Sequence, residues 1–170
     1  MPTGLKATSS VVPVGFEVQE TAANTFAQEQ VDLNLSPLDR EVFVVLAINL
    51  DPQAPDNVAG TSTATSASLT STSQTAIAGL SNANCLANAR LDIRQNAGSI
   101  EGCPFSRGAG ESPATNLDYI GIVATNDFFV QVQGTGNTNA KNCRGKVYGY
   151  RARATADIYS ALVQSEVLSA

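Results

Sequence analysis

The sequence predicts a mostly β chain folded as a sandwich or barrel. Three observations carry that expectation. Short runs of alternating apolar and polar residues recur along the chain, and turn signals fall between them roughly every 8–12 residues. No alternation of strands with long helical stretches supports a parallel α/β fold. Of the 170 residues, 43% are hydrophobic, enough for one domain with its own core.

Taken in order, residues 1–15 are rich in Thr, Ser, Gly and Pro, and Pro13 interrupts the valines there. They are expected to form a flexible N-terminal arm that a neighbour orders, with a single domain over 16–170. Phe16-Glu17-Val18-Gln19-Glu20 and Val31-Asp32-Leu33-Asn34-Leu35 alternate as strands do. Ser36-Pro37-Leu38-Asp39 is a turn in which the proline presets its own φ. Glu41 to Leu50 is β-branched and nearly continuous, which predicts a central strand buried on both faces. Residues 53–60 read as a loop. Residues 61–75 are mostly Thr, Ser and Ala. Threonine favours strands, and a hydroxyl face needs no charge to be hydrated, so an edge strand is expected over 65–72.

From Leu80 the period changes. Ser81 can cap, and Leu80, Ala83, Leu86 and Ala89 or Arg90 recur at roughly helical spacing, predicting a short helix over 82–90 that passes into a strand near 90–94. Residues 95–116 form a long loop carrying Cys103-Pro104-Phe105, of a length that suggests binding or covering. Asp118–Val123 and Phe128–Val132 are the strongest strand patterns, with Thr125-Asn126-Asp127 between them as a tight hairpin turn. In the strand from Arg144, Val147, Gly149, Arg151 and Arg153 share one face, and Tyr148, Tyr150, Ala152 and Ala154 the other. Ile158, Leu162 and either Val163 or Ser165 then recur at helical spacing with Thr155 or Asp157 as cap. They predict a C-terminal helix over 156–168, one more strand over 158–163 being the alternative.

Histidine is absent. That removes Ser-His-Asp and Cys-His catalysis and most zinc sites. Cys85, Cys103 and Cys143 make no CxxC pair. Their odd count points to thiols, with one bridge between Cys103 and Cys143 as the alternative. Gly108-Ala109-Gly110 and Gly134-Thr135-Gly136 read as turns, since neither sits in the strand-to-helix setting of a phosphate cradle. Asp118 and Asp127 flank the expected hairpin as the one carboxylate pair suited to hydrolysis, and nothing marks either as catalytic. Asp51 and Asp56 with loop carbonyls are a calcium candidate without EF-hand spacing. No catalytic residue, cofactor or enzymatic role is expected.

The net charge is −5, and the sparse basic residues argue against a nucleic-acid stripe. The one basic cluster offers Arg144, Lys146, Arg151 and Arg153 as polyanion contacts, but an unbroken strand sets the first two and the last two on opposite faces. No apolar run reaches the roughly 18 residues of a membrane span. Met1-Pro2-Thr3-Gly4 lacks the basic and apolar regions of a secretory signal. The sequon Asn34-Leu35-Ser36 is a short pattern that chance often produces.

Charged residues are only 15% of the chain, against the usual quarter. A surface hydrated by Thr, Ser, Asn and Gln suits a protein packed among neighbours. A single jelly roll with one or two short helices and the N-terminal arm fits the element order best. In size, layout and composition the chain resembles the small single jelly-roll major capsid proteins of icosahedral internal-membrane viruses of archaea and thermophilic bacteria, whose barrels stand upright in the shell. The resemblance implies a virion coat protein assembled in the host cytoplasm. Its partners would be copies of itself, a second related coat subunit and a lipid layer beneath the shell, with hexameric building units. Assembly contacts would then fall in the arm and its junction (Pro13, Phe16), the 95–116 loop (Phe105) and the final segment (Tyr159, Leu162). Two other readings stay open. One is an extracellular filament or surface-layer subunit that donates its N-terminal arm as a strand. The other is a carbohydrate- or ligand-binding jelly-roll module using Tyr148 or Tyr150 in a groove.

Overall fold

The computed structural model describes residues 3–96, 101–107, 110–111 and 118–169. Their elements, in chain order, are β1 (Leu5–Ala7), β2 (Val12–Gln19), β3 (Ala27–Asp32), β4 (Glu41–Pro52), β5 (Thr63–Thr70), β6 (Cys85–Gln95), β7 (Gly102–Arg107), β8 (Gly110–Glu111), β9 (Gly121–Val123), β10 (Asp127–Thr135), β11 (Asn142–Ala154) and α1 (Ala156–Leu168). The described residues are mostly β, in two sheets with one helix. In the first sheet β11 lies between β4 and the β1/β2 edge, and β4 carries β8 and β9 on its other side. The second sheet runs β3-β10-β5-β6-β7.

Setting aside the short or marginal strands β1, β7 and β8 leaves eight. Numbered along the chain, they run first-eighth-third-sixth in one sheet and second-seventh-fourth-fifth in the other. That order, with antiparallel pairing throughout, is the jelly roll. Between the sheets, Val18, Phe43, Val45, Ile48, Leu50, Cys143 and Val147 meet Ala67, Leu69, Ala87, Ala89, Phe128, Val130 and Val132.

The continuous apolar run of β4 has two causes. Val42 and Val44 face outward beneath α1, while Phe43 and Val45 face the core. Tyr148 then pairs with Ala47 and Gly149 with Val45, so Leu46 is an extra residue in β4. This bulge changes the parity of the strand and turns Ile48 and Leu50 inward. β11 keeps an unbroken alternation. Its inward Gly145 and Gly149 leave room for aromatic rings. A Cβ at Gly145 would meet Phe16 at 2.6 Å, and one at Gly149 would meet Phe43 at 2.5 Å. Phe16 in turn meets Phe128 edge to face, with centroids 6.0 Å apart.

Several expectations need correction. Within the first fifteen residues, β1 and the start of β2 pair with β11, so these segments belong to the sheet. The Thr/Ser run is a central strand, β5, between β10 and β6. Its outward side chains are covered by the chain's own next loop: Ala78 N–H donates to Ser68 Oγ at 3.1 Å, while Ser68 Oγ–H donates to Gln131 Oε1 at 2.7 Å. The helix expected over 82–90 is strand β6. Ala87 and Ala89 point into the core, and alanine marks a period of two no better than one of 3.6. The long loop contains β7, paired with β6, and β8, paired with β4. Its residues 97–100, 108–109 and 112–116 lie outside the described ones. Finally, β9 pairs with β4 in one sheet and β10 with β3 and β5 in the other, so Thr125-Asn126-Asp127 crosses between sheets instead of closing a hairpin.

Candidate assembly surfaces

The C-terminal helix forms over the expected residues, and it packs on half of the outer face of the first sheet. Ile158, Tyr159, Leu162 and Val163 cover Leu5, Val42, Val44, Ala152 and Ala154. Gly4 has φ +81°, and a Cβ there would lie 2.1 Å from Ile158 Cδ1, so the first turn of α1 seats where a side chain is missing. Thr155 N–H donates to the Gly4 carbonyl at 3.1 Å. At the other end the buried Glu166 carboxylate accepts from Ala124 N–H and Thr125 N–H, each at 2.9 Å. Burial pushes its carboxyl pKa upward, with those two donors opposing.

Beyond the helix no described residue covers the same face. Tyr148, Lys146 and Arg144 of β11 stand beside Pro13, Gly15 and Glu17 of β2, all of them exposed, Tyr148 at 38%. Asn49 and Asp51 of β4 complete a groove of about 410 Å³. Arg144 Nε donates to Glu17 at 3.0 Å.

The expected assembly residues are not brought together. Phe16 packs against the main core, and Tyr159 and Leu162 against the sheet beneath α1. Pro13 is exposed at the β2 edge, and Phe105, 55% exposed, lies on β7 of the other sheet. The four basic candidates divide by face as the alternation requires. Arg151 donates to the Leu33 carbonyl at 2.7 Å and the Asn34 carbonyl at 3.2 Å, with Glu41 at 3.7 Å. Arg153 donates to Asp39 at 3.0 Å. Three of the four thus meet the chain's own carboxylates, which is the arrangement of structural ion pairs.

One polar cluster was not legible in the sequence. Lys141, almost fully buried, donates to Asp56 Oδ1 at 2.6 Å. Asp56 Oδ2 accepts from the N–H groups of Thr138 and Asn139 at 3.0 and 2.9 Å. The ammonium and these donors hold the Asp56 carboxyl well below the usual carboxylate range. Buried Glu20 accepts from Gly134 N–H at 2.6 Å and Lys141 N–H at 2.7 Å. Asn137 donates its amide to the Ala64 carbonyl at 2.8 Å. Together they pin the β10–β11 turn to the preceding loops. The calcium candidate fails here on chemistry: Asp56 faces donors, and Lys141 supplies the positive charge a cation would bring. The only sequence signal was a lysine among neutral Asn and Thr.

The carboxylate pair also dissolves, since the hairpin meant to join Asp118 and Asp127 does not exist. Asp127 accepts from Gln30 at 2.5 Å. Among the described residues, no group of three His, Cys, Asp or Glu gathers to hold a metal ion, and no helix is long and apolar enough to cross a membrane. No disulfide joins the cysteines. Burial pushes the Cys143 thiol up to about 12, keeping it a neutral core side chain.

No protein-family model matches the chain, and no curated protein matches it. Among solved structures, one described as Desmodium yellow mottle tymovirus is similar over 92% of this chain and 95% of that chain, at 10% sequence identity and a TM-score of 0.30. The fold assignment rests on the strand order itself.

Proposed function

We propose that the chain is a structural subunit that works by protein–protein assembly, as a coat subunit of a virion. The observation that carries this reading is the divided outer face of the first sheet. One half is sealed by α1, and the other presents Tyr148, Gly15 and a balanced set of charges on rigid strands. Jelly rolls serve as capsid and ligand-binding modules alike, and a fold alone does not choose between them. The low charge of the chain, 15%, favours the packed setting, because neutral side chains lose less hydration when a neighbour covers them. A second related coat subunit and an internal lipid layer belong to the same proposal.

Sedimentation velocity over a concentration series, with the heaviest fraction imaged by electron microscopy, tests it. Rings, closed shells or sheets are expected. Open-ended fibres would replace the coat reading with a filament subunit. A strict monomer at high concentration, also after mixing with extract of its source, would overturn assembly and leave a ligand-binding module.

A further inference from the structure

The outer face of the second sheet carries two polar rows of the same make. In the first, Gln131, Ser68 and Asn88 stand side by side on β10, β5 and β6. The chain's own loop lies on this row by its main chain. Ala78 N–H donates to Ser68 Oγ at 3.1 Å, and Asn88 Nδ2 donates to the Ala78 carbonyl at 2.7 Å. Gln131 aims the serine, its Oε1 accepting from Ser68 Oγ–H at 2.7 Å. A serine acceptor and a side-chain N–H donor on adjacent strands, about 4.8 Å apart, thus hold both polar groups of one residue's main chain.

Two residues along each strand the pattern repeats. Gln133, Ser66 and Arg90 are partners across the same three strands. Val132, Ala67 and Ala89 point into the core, so this second row faces outward with the first. Gln stands again on β10, Ser on β5, and a side chain with N–H donors on β6. Among the described residues, neither Ser66 Oγ nor the Gln133 amide has a hydrogen-bond partner. A cavity of about 300 Å³ lies over the row, walled by Ile77, Ala78 and Gly79 of the same loop, a size at the lower end of ligand pockets. Arg90 is the one charged residue of its lining, and Arg90 Nε donates to Asp92 at 2.7 Å. The cation is neutralised on its own strand, so the cavity suits an uncharged ligand, and the Nη groups supply donors for a carbonyl oxygen.

We propose that this cavity binds the main chain of an extended, uncharged peptide segment presented by a neighbouring subunit. A peptide N–H donates to Ser66 Oγ and a peptide carbonyl accepts from Arg90, with Gln133 aiming the serine. The chemistry of the occupant is read from the first row, where a matching set of side chains already holds a peptide unit. That the segment belongs to a neighbouring subunit rests on the assembly reading above; the chemistry of the site does not.

Saturation-transfer difference NMR, which detects weak ligands of proteins of any size, tests it. The probe is acetyl-Thr-Ala-Ile-Ala-Gly-amide, the sequence of residues 75–79. Saturable transfer to the peptide is expected, with a Kd at or below about 10 mM. Ser66→Ala and Gln133→Ala, each checked by thermal unfolding, should each weaken binding at least about threefold, as loss of one hydrogen bond requires. Both remove outward side chains that no described residue bonds, so both are expected to fold. Lys146→Ala, on the other sheet, should bind as wild type does. No transfer at up to about 10 mM peptide would overturn the site, and so would binding that both variants leave unchanged. Transfer to methyl β-glucoside in a parallel sample, without transfer to the peptide, would overturn it in favour of a sugar site. Sedimentation of the same samples separates the two readings. A chain that assembles but ignores the peptide loses this site and keeps its assembly role, whereas a strict monomer that binds the peptide keeps the site and loses that role.

Discussion

On the outer face of the first sheet, the half bearing Val42, Val44, Ala152 and Ala154 lies under α1, whereas no described residue covers the half bearing Tyr148, Lys146, Arg144 and Gly15. The same two strands, β4 and β11, cross both halves, so backbone geometry does not make the difference. Small and β-branched side chains make a flat apolar floor on the covered half, and a helix lies on it. On the uncovered half the outward positions of β4 become Ala47, Asn49 and Asp51. The change falls at the Leu46 bulge, which sends Ile48 and Leu50 into the core and brings polar residues out. A single extra residue therefore marks the border between the half that α1 covers and the half that no described residue covers.

The comparison predicts opposite responses to similar changes. Val44→Asp buries a charge under α1 and should cost more than about 3 kcal/mol in urea unfolding, while Asn49→Asp, on the same strand and face across the bulge, should cost within about 0.5 kcal/mol. Equal costs would erase the division. Glu166→Ala leaves the N–H groups of Ala124 and Thr125 without their acceptor and should cost about 2 kcal/mol. Tyr148→Ser on the uncovered half should change monomer stability by no more than about 0.5 kcal/mol.

The smallest effect is a pH dependence, and its sign differs between groups. The folded pKa of Asp56 is lowered by Lys141 and the loop donors, so its contribution is present above about pH 4 and is lost as pH falls. Asp56→Asn should therefore lose less stability than wild type on acidification. The folded pKa of Glu166 is raised by burial, so its contribution is present below about pH 4 and fades as pH rises. Thermal unfolding between about pH 3 and 7 should show wild type gaining on Glu166→Gln as pH falls; the reverse trend would mean that Glu166 is not desolvated beneath the sheet.

The architecture was legible wherever alternation was carried by large side chains. Val147 to Ala154 fell on the expected faces, Phe128 to Val132 lay in a strand, and α1 occupied 156–168. Reading failed where small residues did the packing. Ala87 and Ala89 in β6 and the Thr/Ser run of β5 carry little periodic contrast, because their burial comes from a loop folded over them and from the opposite sheet. The sheet change between β9 and β10 was hidden for another reason: a crossing and a hairpin use the same turn residues. The surface was less legible than the fold. Tyr159, Leu162 and Phe16 were expected as assembly contacts, and in the structure each packs within its own chain. The Asp56–Lys141 pair was invisible because its partners are 85 residues apart.

The most direct test is hydroxyl-radical footprinting of Tyr148 and Tyr159 at low and high protein concentration. If the uncovered half is an assembly surface, Tyr148 becomes protected as heavier species form, while Tyr159, which packs from α1 onto the sheet, keeps the same rate throughout. Heavier species forming with an unchanged rate at Tyr148 would contradict that assignment.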